Sequence, residues 1–146
     1  MAERRVADEA GMVELGAALA ARLQPPVVVY LEGPLGAGKT TLARALVRAL
    51  GHEGAVRSPT YTLLESYPLA RAEVHHLDLY RLADPEEVEF LGVRELAGPS
   101  AIWLVEWAER GGDRLPPPDY VIEIAFDGTG RVVRGLPDGL LPVDNT

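Results

Sequence analysis

The chain has 146 residues, 47% hydrophobic and 25% charged, a composition that suits one globular domain and excludes wholesale disorder. Fourteen basic against 22 acidic side chains leave a net charge of −8, which argues against a broad basic surface for gripping phosphate backbones. With no cysteine there is no disulfide framework, zinc ribbon or thiol catalysis, and a reducing cytoplasm suits such a chain.

The first ten residues mix charges and hold no apolar run, so no signal peptide is expected. The aliphatic runs fall far short of the roughly 20 residues that cross a bilayer. A soluble cytoplasmic protein is the expectation. Residues 7–23 read as an amphipathic helix, with Met12, Leu15, Leu19 and Leu23 on one face. Asp8 and Glu9 fall at its N-terminal end, where the helix dipole favours negative charge. Pro25-Pro26 ends it. Residues 27–31 are apolar and mostly β-branched, the pattern of a parallel strand covered on both faces.

A Gly-rich turn leads into a second helix over 39–50, with Leu42, Leu46 and Leu50 on one face and Arg44 and Arg48 on another; Gly51 is its stop. Strands are expected over 61–67 and 73–80. The second alternates, with Val74, His76, Asp78 and Tyr80 on one face, and reads as a half-exposed hairpin partner. Asp84-Pro85-Glu86-Glu87 opens a short helix that ends near Leu91-Gly92. Residues 101–105 form a second fully apolar strand ending at Glu106. Pro116-Pro117-Pro118 is a rigid spacer before a hairpin of 120–126 and 131–134, and the tail from Pro137 reads as loop. No repeat and no second domain is visible, so one domain over 1–146 is expected.

The chemistry concentrates in Gly33-Pro-Leu35-Gly36-Ala37-Gly38-Lys39-Thr40, which satisfies G-x-x-x-x-G-K-[ST] between a buried strand and a helix. Backbone N–H groups of such a loop close around a β-phosphate, reinforced by the helix N-terminus. Lys39 is positioned for the β- and γ-phosphates and Thr40 for Mg²⁺. Lys39 is also the single lysine among fourteen basic side chains, as expected where a compact ammonium is required.

Such a fold needs a second acid at a neighbouring strand end. Glu106 is favoured for Mg²⁺, because it ends a strand of the buried parallel type; the plain alternative is a pairing with an arginine. Asp78 is left to position the attacking water or the metal shell, or simply to pair with Arg81. Ser58-Pro-Thr60 stands where related NTPases carry a mobile switch that senses the γ-phosphate, and equally reads as a decorated turn. Trp107, next to the candidate metal ligand, is either a contact for site or partner or part of the core. His75 and His76 face opposite ways, so a shared metal is not expected. Without N-K-x-D there is no basis for guanine recognition, and adenine is the default.

Four ordered motifs carry a resemblance: Gly33-Pro-Leu-Gly-Ala-Gly-Lys-Thr-Thr41, Ser58-Pro-Thr-Tyr-Thr62, His76-Leu-Asp-Leu-Tyr-Arg81 and Leu104-Val-Glu-Trp107. Together they resemble the TsaE (formerly YjeE) family of small P-loop ATPases of tRNA threonylcarbamoyladenosine biosynthesis, from the first helix to the final hairpin. Met12 departs from the pattern, since the family often carries Thr there. The resemblance implies an α/β, three-layer P-loop NTPase-like fold, its central sheet mainly parallel with added antiparallel hairpin strands. It implies weak ATP hydrolysis that supports a TsaB–TsaD pair, which transfers a threonylcarbamoyl group to adenosine 37 of tRNA. Cofactors are then ATP and Mg²⁺, and tRNA is met only through partners, with no membrane and no DNA. The resemblance also implies a phosphate site from Gly33 to Thr41, a metal held by Thr40 and Glu106, catalytic Lys39, Asp78 and Glu106, and switch or partner contacts at Ser58, Thr60, Thr62, Arg81 and Trp107. The rival readings are a small-molecule kinase using Arg57 or Arg81 on a substrate phosphate, and a non-catalytic nucleotide-sensing subunit.

Overall fold

Asp8 starts the first helix: its side chain accepts the Gly11 N–H at 2.9 Å, so α1 spans Glu9–Arg22 with Asp8 as cap. The computed structural model describes residues 2–140. Its other helices are α2 (Lys39–Ala49) and the single-turn α3 (Glu87–Phe90). The strands are β1 (Ala2–Val6), β2 (Val27–Glu32), β3 (Leu64–Pro68), β4 (Glu73–Asp78), β5 (Ala101–Glu106), β6 (Tyr120–Asp127) and β7 (Gly130–Leu136). All seven join one sheet in the order β1-β7-β6-β2-β5-β4-β3. The four central strands β6, β2, β5 and β4 run parallel, while β3, β7 and β1 add antiparallel to the flanks.

The apolar stripe of α1 (Met12, Leu15, Leu19) and that of α2 (Leu42, Leu46) pack on Val27, Val29, Leu31, Ile102 and Leu104. The opposite face of the sheet gathers Leu77, Leu79, Trp103 and Val105 under Val88, Val93 and Leu115, which come from α3 and irregular turns. The architecture is therefore three-layered, with a thin second helical layer. Of the parallel strands, β2 and β5 read as continuous apolar sequence because both of their faces are covered. Among the described residues no helix is long and apolar enough to cross a membrane.

Three sequence expectations need correction, and one strand was unforeseen. Strand β4 is not half-exposed: Val74 to Asp78 are all buried, because β4 lies inside the sheet between β3 and β5 with one core packed at Val74 and the other at Leu77, on opposite faces. The strand expected from residue 61 begins at Leu64, since Leu63 adopts φ 68° and turns the chain back onto Pro59. The strand expected to reach Tyr80 stops at Asp78. The N-terminal residues, read only for their mixed charge, form edge strand β1, paired with β7. Part of the loop-like tail expected from residue 137 lies outside the described residues.

His75 shows why polar residues can sit in such a strand. Its Nδ1 is 2.8 Å from Ser66 Oγ, and its ring packs 5.2 Å from Trp103. Burial holds its pKa below the usual imidazole range, against an opposing pull from Glu73. A group depressed in the folded state binds fewer protons there than in the unfolded chain. Its stabilising share is therefore complete above about pH 6.5 and declines as pH falls beneath that value. Chemical denaturation at pH 7 and pH 5 should thus show a smaller acid loss in His75→Gln than in the parent protein. An equal loss in both would show that His75 titrates no differently folded and unfolded.

Candidate functional site

Strands β2, β4 and β5 end side by side, and their carboxyl ends carry the chemistry. After β2 the chain turns through Gly33, Gly36 and Gly38, all at positive φ, and enters α2 with Gly38 as cap. The first N–H groups of α2, which no helical turn precedes, lie at this end of the helix with Lys39 and Thr40. At the end of β5, both carboxylate oxygens of Glu106 lie 3.1 Å from Thr40 Oγ1. Parallel register sets Asp78 directly beside Glu106. One cavity of about 360 Å³ collects Lys39, Thr40, Thr41, Asp78, Glu106 and Trp107, with Leu35 and Arg81 at its edge.

Lys39 is buried; its Nζ donates to the Gly33 carbonyl and lies 3.7 Å from the centre of the Trp107 ring. Burial lowers its pKa, while Glu106, Asp78 and Glu109 pull it back up. Asp78 is pushed the other way: burial raises its pKa and Glu106 adds to this, while the Tyr80 N–H that it accepts at 3.1 Å works against both. Asp78 therefore holds a proton more readily than an exposed aspartate does.

Of Ser58, Thr60 and Thr62, only Thr60 lines this cavity. Its hydroxyl is 2.7 Å from that of Ser58, which is exposed, and Thr62 is exposed beside Glu65. Arg81 reaches the cavity rim with its guanidinium stacked on Tyr61 at 4.7 Å, and forms no pair with Asp78. Arg57 lies away from the cavity, its backbone tied to the Tyr67 hydroxyl. Trp107 adopts a left-handed backbone (φ 57°) and turns its ring to the site, between Lys39 and Tyr80.

Two partners were not legible as such. His76 Nε2 is 2.6 Å from Glu106 Oε2, so the imidazole donates to the carboxylate, and its buried Nδ1 has no partner. The signal was its place two residues before Asp78, on the same strand face. Glu106 is thus paired with a histidine rather than an arginine. Arg131, at the start of β7, donates from Nε to the Ala37 carbonyl at 2.9 Å and from Nη2 to that of Gly36 at 3.2 Å. Nothing in the local sequence of the hairpin pointed to that contact.

Several known proteins are similar to this chain. A family model described as Threonylcarbamoyl adenosine biosynthesis protein TsaE matches residues 6–133. The chain is 45% identical over 131 residues to the tRNA threonylcarbamoyladenosine biosynthesis protein TsaE of Haemophilus influenzae, covering 86% of this chain and 83% of the relative. It is 40% identical over 136 residues to the protein of that name from Bacillus subtilis, covering 86% and 85% respectively. Among solved structures, the crystal structure of Bacillus subtilis YdiB matches with a TM-score of 0.75 at 28% identity, covering 90% of this chain and 82% of that one. The family match runs from the end of β1 through the phosphate loop and both strand-end acids into β7, the last strand, and the chain belongs to the TsaE family.

Proposed function

We propose that this chain is the ATP-binding, weakly hydrolysing subunit that supports a TsaB–TsaD complex in threonylcarbamoyl transfer to adenosine 37 of tRNA. The convergence of Thr40 and Glu106 beneath the mouth of the phosphate loop carries the reading. Oxygen donors of a hydroxyl and a carboxylate suit Mg²⁺, a hard cation that keeps much of its water and shares substrate phosphate oxygens. Thr40 and Glu106 are the residues to hold it, and when bound it neutralises triphosphate charge. Lys39 leaves the Gly33 carbonyl for the β- and γ-phosphates, and the loop amides hold the β-phosphate. His76 keeps the Glu106 carboxylate aimed at Thr40. Asp78 and Thr60 border the place of the attacking water, while Trp107 and Arg81 face the mouth where a partner docks. The acidic surface leaves tRNA to the partners.

Two measurements test this. Adding TsaB and TsaD should raise ATP turnover at least about tenfold, with ADP and inorganic phosphate as the products. Unchanged turnover would overturn the partnership, and a phosphorylated metabolite would favour a kinase. The second uses the lone lysine. Its lowered pKa enlarges the neutral fraction that amine reagents attack. Mg-ATP should protect Lys39 from labelling, and Mg-GTP should protect it less, read by intact mass and peptide mapping. Equal labelling with and without saturating Mg-ATP would refute phosphate binding by the loop.

A further inference from the structure

We infer that Arg131 is a positioning residue that sets the anion-binding shape of the phosphate loop from outside it; this rests on the nucleotide reading above. In a trans peptide the C=O and N–H point in opposite directions. Arg131 Nε holds the Ala37 carbonyl outward at 2.9 Å, so the N–H of Gly38 is turned inward, toward the phosphate position. Arg131 Nη2 holds the Gly36 carbonyl at 3.2 Å, while the N–H of that same peptide, on Ala37, donates to Pro34 O at 3.2 Å. That peptide is fixed at both ends.

The guanidinium is itself fixed. Its Nη1 donates to the Gly130 carbonyl at 2.9 Å, and its plane rests on the Phe126 ring at 4.6 Å. Phe126 is the cross-strand partner of Arg131, so the hairpin supplies both the clamp and its support. Two carbonyls at different bearings require a planar fork, and a lysine ammonium reproduces the charge but not the geometry. Arg131 also borders a second cavity of about 240 Å³, with Met12, Gly38 and Thr41, on the flank of the loop away from Glu106. The competing role is therefore a direct contact with the nucleoside.

The test compares the parent protein with Arg131→Gln and Arg131→Lys. Ligands are Mg-ATP and inorganic tripolyphosphate with Mg²⁺, which carries the phosphates without a nucleoside. Loop shape is read separately, by amide hydrogen exchange over residues 36–38 in nucleotide-free protein. Both variants should bind both ligands more weakly by one common factor of about ten, equal to 1.4 kcal/mol. Their loop amides should exchange faster while the thermal midpoint stays within about 3 °C of the parent. Weakened ATP binding with intact tripolyphosphate binding would overturn the inference in favour of nucleoside contact. Full rescue by Arg131→Lys, or unaltered exchange in both variants, would overturn it too. If the parent protein binds neither ligand, the nucleotide reading falls, and the exchange result alone decides the role of Arg131.

Discussion

Glu106→Gln should bind Mg-ATP within about threefold of the parent protein and lose turnover by about a hundredfold or more. The amide is nearly isosteric, so it still accepts from His76 and meets the Thr40 hydroxyl, and the buried end of β5 is not emptied. What disappears is the negative charge facing Thr40, which a cation's water shell needs and phosphate binding by Lys39 does not. Asp78→Asn serves as the comparison, because the two acids are register partners and burial raises the pKa of Asp78. Partner-stimulated ATPase and fluorescent-nucleotide titration check the pair together. Full activity in Glu106→Gln with none in Asp78→Asn would exchange the roles of the two acids.

The second large effect separates two glycines of one motif. Gly33 has φ 149°, and a Cβ there would lie 2.4 Å from the Ile124 carbonyl oxygen on β6. Backbone cannot yield as a side-chain tip does, so Gly33→Ala forces β2 and β6 apart beneath the loop. A loss of about 3 kcal/mol is expected, lowering the melting temperature by roughly 10 °C. Gly36 also has positive φ (78°), but an added Cβ meets nothing within 4 Å. Gly36→Ala then carries only the left-handed cost, about 1 kcal/mol. Thermal denaturation of both variants checks the contrast, and equal losses would mean that the contact with Ile124 does not decide the matter.

The central strands and the phosphate loop were legible in the sequence for physical reasons. Residues 27–31 and 101–105 are apolar without interruption because helices and turns cover both sheet faces, and the loop announces itself by the spacing of Gly33, Gly38, Lys39 and Thr40. Strand β4 was misread because alternation reports residue type and not exposure. His75 and His76 are buried by pairing with Ser66 and Glu106, partners 9 and 30 residues away. Asp78 likewise gains its depth from β5. Three of the site's parts, Lys39, Thr40 and Glu106, could be placed by motif and strand end. The hold of Arg131 on the loop spans 94 residues, and no local pattern encodes it.

Strand β1 has a bearing on solubility. It lies outermost in the sheet, with Ala2 opposite Leu136 and Val6 opposite Arg131 on β7. Its outward charges are engaged, Glu3 with Arg134 at 2.8 Å and Arg5 with Asp127. A charged, five-residue rim of this kind is a poor template for a strand from another molecule. Without it the sheet would end at β7, a seven-residue strand carrying Val132, Val133 and Leu136 and an open row of N–H and C=O groups. Five residues that contribute one core side chain, Val6, thus act as a cover strip, and a chain shortened by them would be prone to associate edge to edge.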